Sequence, residues 1–136
     1  MVDVRGGIDY HELKPARSTP TQVLTAQIIP AGDKAEFIVS GGNGYSAVVV
    51  TIKATYDSSA TTGVRVRWLY SPDGANFDSV DDAEAQGNYS DLSFSAGATR
   101  QRTVLIPLFQ PYVKVQIVNQ DTSYSVAVDA WETFLR

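Results

Sequence analysis

Hydrophobic and polar residues alternate with a period of two over most of the chain after residue 20. In Val64-Arg-Val-Arg-Trp-Leu-Tyr70, the residues Val64, Val66, Trp68 and Tyr70 share one face, and Arg65, Arg67 and Leu69 share the other. Val113, Val115 and Ile117 oppose Tyr112, Lys114 and Gln116 in the same way, and Tyr124, Val126, Val128 and Ala130 fall on one side of a later run. Such alternation marks antiparallel strands with one face turned to a core. It predicts strands at 21–29, 34–39, 45–56, 64–71, 77–80, 89–94, 99–106, 112–119 and 123–135. No segment carries a 3.6-residue period. Turn signals fall between the runs at Pro30-Ala-Gly-Asp33, Gly41-Gly-Asn-Gly44, Asp57–Gly63, Pro72-Asp-Gly74, Gly97 and Asp121-Thr,. Eight or nine short strands with such punctuation predict an all-β fold. The expected form is an antiparallel β-sandwich or jelly roll, with a small barrel as the alternative.

Residues 1–20 break this pattern. They hold Gly6, Gly7, Pro15 and Pro20, few apolar anchors, and three acids against three bases. They read as an extended N-terminal arm preceding a sandwich domain over 21–136. An arm this poor in apolar residues cannot offset its ordering entropy alone, so it is expected to lie on a partner through Arg5, Tyr10, His11, Leu13 and Arg17,.

Composition narrows the chemistry. The 136 residues fit one domain, with eleven Lys and Arg against fifteen Asp and Glu for a net charge of −4,. An acidic chain lacks the basic footprint of a nucleic-acid binder. There is no cysteine and only one histidine, His11, which excludes thiolate and His-cluster metal sites,. The first residues contain no apolar signal segment, and the apolar run at Ala47–Val50 is far too short to span a membrane,. No catalytic residue and no cofactor is assigned. An enzyme would need a carboxylate pair such as Asp78 with Asp129 across a cleft.

Four groups of side chains have chemical potential. Asp78, Asp81, Asp82 and Glu84 form an acidic cluster with oxygen ligands for calcium, although its spacing departs from an EF-hand loop,. Arg65 with Arg67, and Arg100 with Arg102, each project from one face of a strand. On neighbouring strands the four would make a subunit-contact face; the alternative is a face of cross-strand ion pairs to Asp91 or Asp129. Tyr89, Tyr124 and Trp131 are candidates for an exposed aromatic row that could stack on sugars, whereas Trp68 reads as core. The segment Ser71-Pro-Asp-Gly-Ala-Asn-Phe77 reads as a hairpin turn,.

Two segments carry a family likeness: VVVTIKATYDSSATTGVRVRWLYSPDGANFDS (48–79) and ATRQRTVLIPLFQPYVKVQIVNQDTSYSV (98–126). In both the turn S-x-D-G-x-x-F and the strand pattern V-x-V-x-I-x-N-x-D, the chain resembles small β-sandwich virion proteins of tailed viruses and proviruses. That resemblance implies a capsid decoration protein, or a tail or fibre part, located in the virion. Its expected partners are copies of itself and a major capsid or tail protein. It implies a homo-oligomer, with a trimer as the form common in such proteins. A carbohydrate-binding module on a tail fibre is the competing expectation.

Overall fold

The structure is a computed structural model that describes residues 16–41 and 44–136. Eight strands and one short helix follow in the order β1 (Thr21–Ile29), β2 (Lys34–Ser40), β3 (Ala47–Tyr56), β4 (Val64–Ser71), α1 (Val80–Ala85), β5 (Tyr89–Asp91), β6 (Thr99–Pro107), β7 (Tyr112–Asn119) and β8 (Val126–Leu135). They form two antiparallel four-stranded sheets, ordered β1-β8-β3-β6 and β2-β7-β4-β5. Successive strands alternate between the sheets except at β4–β5, which pair within one. The eight-stranded, two-sheet arrangement is that of a jelly roll, so the expected all-β sandwich is the fold.

The alternation places the core. Val48, Val50, Ile52 and Ala54 of β3 face Val64, Val66, Val113, Val115 and Ile117 of the other sheet, all fully buried. The largest fully buried side chains are all valine or isoleucine. These β-branched residues suit a pleated surface, and each contributes about 1.5–3 kcal/mol when removed from water. Two core tyrosines find partners for their hydroxyls. Tyr70 Oη donates to the Pro107 carbonyl at 2.6 Å, tying the two sheets together, and Tyr56 Oη donates to the Ser93 carbonyl at 3.2 Å. Trp68 belongs to this core, as its position in the alternation implied.

Two expectations need correction. Residues 77–80 form no strand; the chain instead enters α1 at Val80. Ser79 caps the helix by accepting the Asp82 N–H and donating to the Asp82 carboxylate at 2.7 Å,. Six residues with Ala83 as the one buried side chain are too few to show a helical period,. The Ser71–Phe77 segment is a turn, but it leads into α1 instead of closing a two-residue hairpin. Asp73 organises it by accepting the N–H groups of Ala75 and Asn76 at 2.9 and 2.8 Å. The strand expected at 21–29 is present as β1, although it is not regular. Its pairing with β8 shifts register twice, and Ala26 sits at φ 45°. The Asp129 carboxylate holds this conformation by accepting the Ala26 N–H at 2.8 Å. A bulged edge strand resists pairing with stray chains.

Of the expected arm, Arg5, Tyr10, His11 and Leu13 lie outside the described residues. Residues 16–20 extend β1 along the end of β8. The Ser18 N–H donates to the Phe134 carbonyl at 2.8 Å, the Arg136 N–H to the Ala16 carbonyl at 3.0 Å, and Arg17 bridges Leu135. This stretch is already held by its own domain, contrary to the reading of all of 1–20 as unanchored.

Candidate functional site

The two outer sheet faces differ sharply in chemistry. On the β2-β7-β4-β5 sheet, cross-strand neighbours bring Glu36, Gln116 and Arg67 into one row and Arg65 and Asp91 into the next. The rows join into a continuous ladder. Gln116 Nε2 donates to Glu36 at 2.7 Å, and Arg67 Nε donates to Gln116 Oε1 at 2.8 Å. Arg67 and Arg65 both reach Glu84 Oε2 of α1, at 2.9 and 3.2 Å. Arg65 then grips Asp91 with two bonds of 2.7 and 3.1 Å, while its guanidinium lies over the Tyr89 ring. The bonds from Arg67 and then Arg65 hold the Glu84 carboxyl below its ordinary range,. Residues 72–85 fold back over this face, so Leu69 is buried although it points outward. Every charge in the ladder has a partner within it.

The expected four-arginine face does not form. Arg65 and Arg67 belong to this ladder, whereas Arg100 and Arg102 lie on β6 of the other sheet. They pair with Ala54 and Ile52 and so point towards the sandwich interior at its open edge. Arg102 bonds Ser90 Oγ across that edge at 3.3 Å. Inward charges on an edge strand oppose sheet extension. The acidic cluster is also dispersed: Glu84 is taken by the two arginines and Asp82 by Ser79. No group of three His, Asp or Glu side chains among the described residues could hold a metal. Tyr89, Tyr124 and Trp131 share no platform. Tyr89 is on β5 of one sheet, Trp131 faces outward on β8 of the other, and Tyr124 is in the loop between β7 and β8. Asp78 lies in the loop between β4 and α1, which folds over one sheet, and Asp129 is on β8 of the other, so the two do not flank one cleft.

At one end of the sandwich, Asn119 and Asp121 staple three loops. Asn119 Nδ2 contacts the carbonyls of Ile29, Pro30 and Tyr124 at 2.9–3.2 Å. Asp121 accepts four backbone N–H groups, from Thr61, Thr62, Ser123 and Tyr124. These bonds account for the N-x-D pattern as a structural device.

Among the described residues, nothing packs over the outer face of the β1-β8-β3-β6 sheet. The central rows read Thr133–Val49–Leu105, Trp131–Thr51–Thr103 and Asp129–Lys53–Gln101. Leu105 is 57% exposed, and Ile28 at the β1 edge is 56% exposed. Lys53 and Asp129 are the only charges that its four strands turn outward. Sequence reasoning did not single this face out, because pairing β3 with both β6 and β8 is a long-range fact.

Glu132 was also missed, though it interrupts an inward series of Val126, Val128, Ala130 and Phe134. It pairs with buried Val50, and among the described residues no hydrogen bond or ion pair reaches its carboxylate. Burial therefore raises its carboxyl above the usual range,. The folded state binds this proton more tightly than the unfolded one. The ionised group thus costs stability at neutral pH, and that cost is relieved as pH falls through the raised value towards ~4.3. Glu132→Gln is expected to raise the melting midpoint by about 2–4 °C at pH 7, with the advantage disappearing near pH 4. Thermal melts at both pH values check this; equal midpoints at pH 7 would contradict it.

No family model and no solved structure matches the chain. A curated relative is the "Uncharacterized protein MJ0346" of Methanocaldococcus jannaschii, 30% identical over 89 residues that cover 65% of this chain and 68% of the relative. At that identity and coverage, the jelly-roll chain described here belongs to the same family as this archaeal protein.

Proposed function

We propose that this protein is a structural component of a virion, a capsid decoration protein that works by protein–protein contacts and carries out no reaction. The observation behind this reading is the contrast between its two exteriors. On one face the charged ladder satisfies its own members, and on the other nothing among the described residues covers a broad surface poor in charge. Charge depletion around exposed apolar and aromatic residues is the composition of a protein interface core. The N-x-D and S-x-D-G segments act as loop staples, which suits a rigid building block. The likeness of 48–79 and 98–126 to virion sandwiches supplies the setting. The partners in this reading are other copies of the chain and a major capsid protein.

The test is quantitative mass spectrometry of particles purified from cultures that express the gene. The expected result is co-sedimentation with particles at a fixed ratio to the most abundant shell protein. Recovery wholly in the particle-free fraction would overturn the virion assignment.

A further inference from the structure

We infer that the outer face of the β1-β8-β3-β6 sheet packs against the same face of a second copy, about a two-fold axis parallel to the strands between β3 and β8. The inference names the contact surface for the assembly reading above, but it rests on separate geometry.

Charge is the first argument for a second copy. The four strands turn outward one cation and one anion, Lys53 and Asp129, directly opposite each other on β3 and β8, while Arg17 lies beside Leu135 at the far end of the face. Lys53 has no ion-pair partner among the described residues, and Asp129 keeps one oxygen beyond the Oδ1 that holds Ala26 and Gln22. A two-fold between these strands exchanges β3 for β8 across the interface. Each Lys53 then lies over the partner's Asp129, and each Thr51 over the partner's Trp131. The same operation makes two ion pairs from one pair of residues, as an isologous contact requires. Across the four strands the outward charges cancel, so a strongly charged partner would find no complementary field at the centre of the face.

Area is the second argument. Four strands at ~4.8 Å spacing and about 30 Å of strand give about 600 Å² per copy, or about 1,200 Å² in total. That lies at the lower bound of specific protein interfaces. Facing sheets pack about 10 Å apart, so side chains of the size of Val49 and Leu105 fill the gap. A flat face that meets itself closes with a two-fold axis. The trimer implied by the family likeness would need a different surface.

Sedimentation of the full chain between 1 and 100 µM tests the inference. The expected result is a reversible dimer of about twice the 14.8 kDa chain mass. Thr51→Glu places two like charges near the axis and is expected to weaken dimerisation at least 100-fold. Leu105→Glu lies at an exposed edge position and keeps the test valid should Thr51→Glu not fold. Ile38→Glu, exposed on the other sheet, should leave the dimer intact. A wild-type monomer at 100 µM, a trimer, or a dimer unaffected by folded Leu105→Glu would each overturn the inference. The two readings fail separately: a monomeric chain can still be found in particles, and a dimer can still be absent from them.

Discussion

Replacing Asn119 with alanine is expected to cost about 2–3 kcal/mol of folding stability, a large part of the ~5–15 kcal/mol typical of a domain. The side chain is 2% exposed, so water cannot take over its bonds. Its amide group serves the Ile29, Pro30 and Tyr124 carbonyls, and its Oδ1 accepts the Asp121 N–H at 3.1 Å. Alanine removes all four contacts. Pro30 keeps its bond from the Asp33 N–H, which limits the loss. Asn119→Asp should be worse than alanine at neutral pH, because it turns an acceptor towards three carbonyls. Urea unfolding with an unchanged slope is the measurement. A midpoint shift worth less than about 1 kcal/mol in both variants would show that the loops hold without the staple.

The neighbouring Asp121 gives the same corner an acid limit. Four backbone N–H groups, led by Thr61, hold its carboxyl well below the usual range. The unfolded chain therefore takes up this proton first on acidification. The stability it supplies is full above the unfolded pKa of ~3.9 and is lost as pH falls towards the depressed folded value. Asp73 shifts in the same direction for a similar reason, so Asp121→Asn should flatten the acid slope without abolishing it.

The parts of this fold legible from sequence are those governed by local pattern. Alternation together with turn punctuation located the strands, most plainly β3, β4 and β7, whose inward faces are buried in the core. Helix α1 was not legible, since a six-residue turn held by one cap and one buried alanine leaves no periodic trace. The β1 distortion was also hidden: nothing about Ala26 signals a positive φ, and the carboxylate that imposes it lies 103 residues away. Arginine spacing placed Arg65 with Arg67 and Arg100 with Arg102. It could not show that jelly-roll topology sends the pairs to different sheets. The outer face of the β1-β8-β3-β6 sheet depends wholly on such pairing, so its residues looked like unremarkable threonines and valines. Glu132 was legible in principle as a charge at an inward position of β8.

Arg67→Met is expected to destabilise the fold by about 2–3 kcal/mol, well above the 0–1 kcal/mol of an exposed ion pair. Its side chain is 12% exposed and links β4, β7 and α1 by bonding Gln116 and Glu84 at once. Methionine preserves much of the aliphatic packing, so the loss reports the polar contacts. Most of it should come from Gln116, which is 4% exposed and would be left with an unpaired carbonyl oxygen. Adding Gln116→Leu removes that orphaned acceptor, and exposed Glu36 can return to water. The double variant is therefore expected to be more stable than Arg67→Met alone, costing under about 1.5 kcal/mol. Arg67→Lys should fall between, because an ammonium cannot span both acceptors as the guanidinium fork does. Urea midpoints for the three variants decide the matter. A single-variant cost below about 0.5 kcal/mol would reduce the ladder to surface decoration. An additive double variant would place its worth in packing and not in satisfying buried groups.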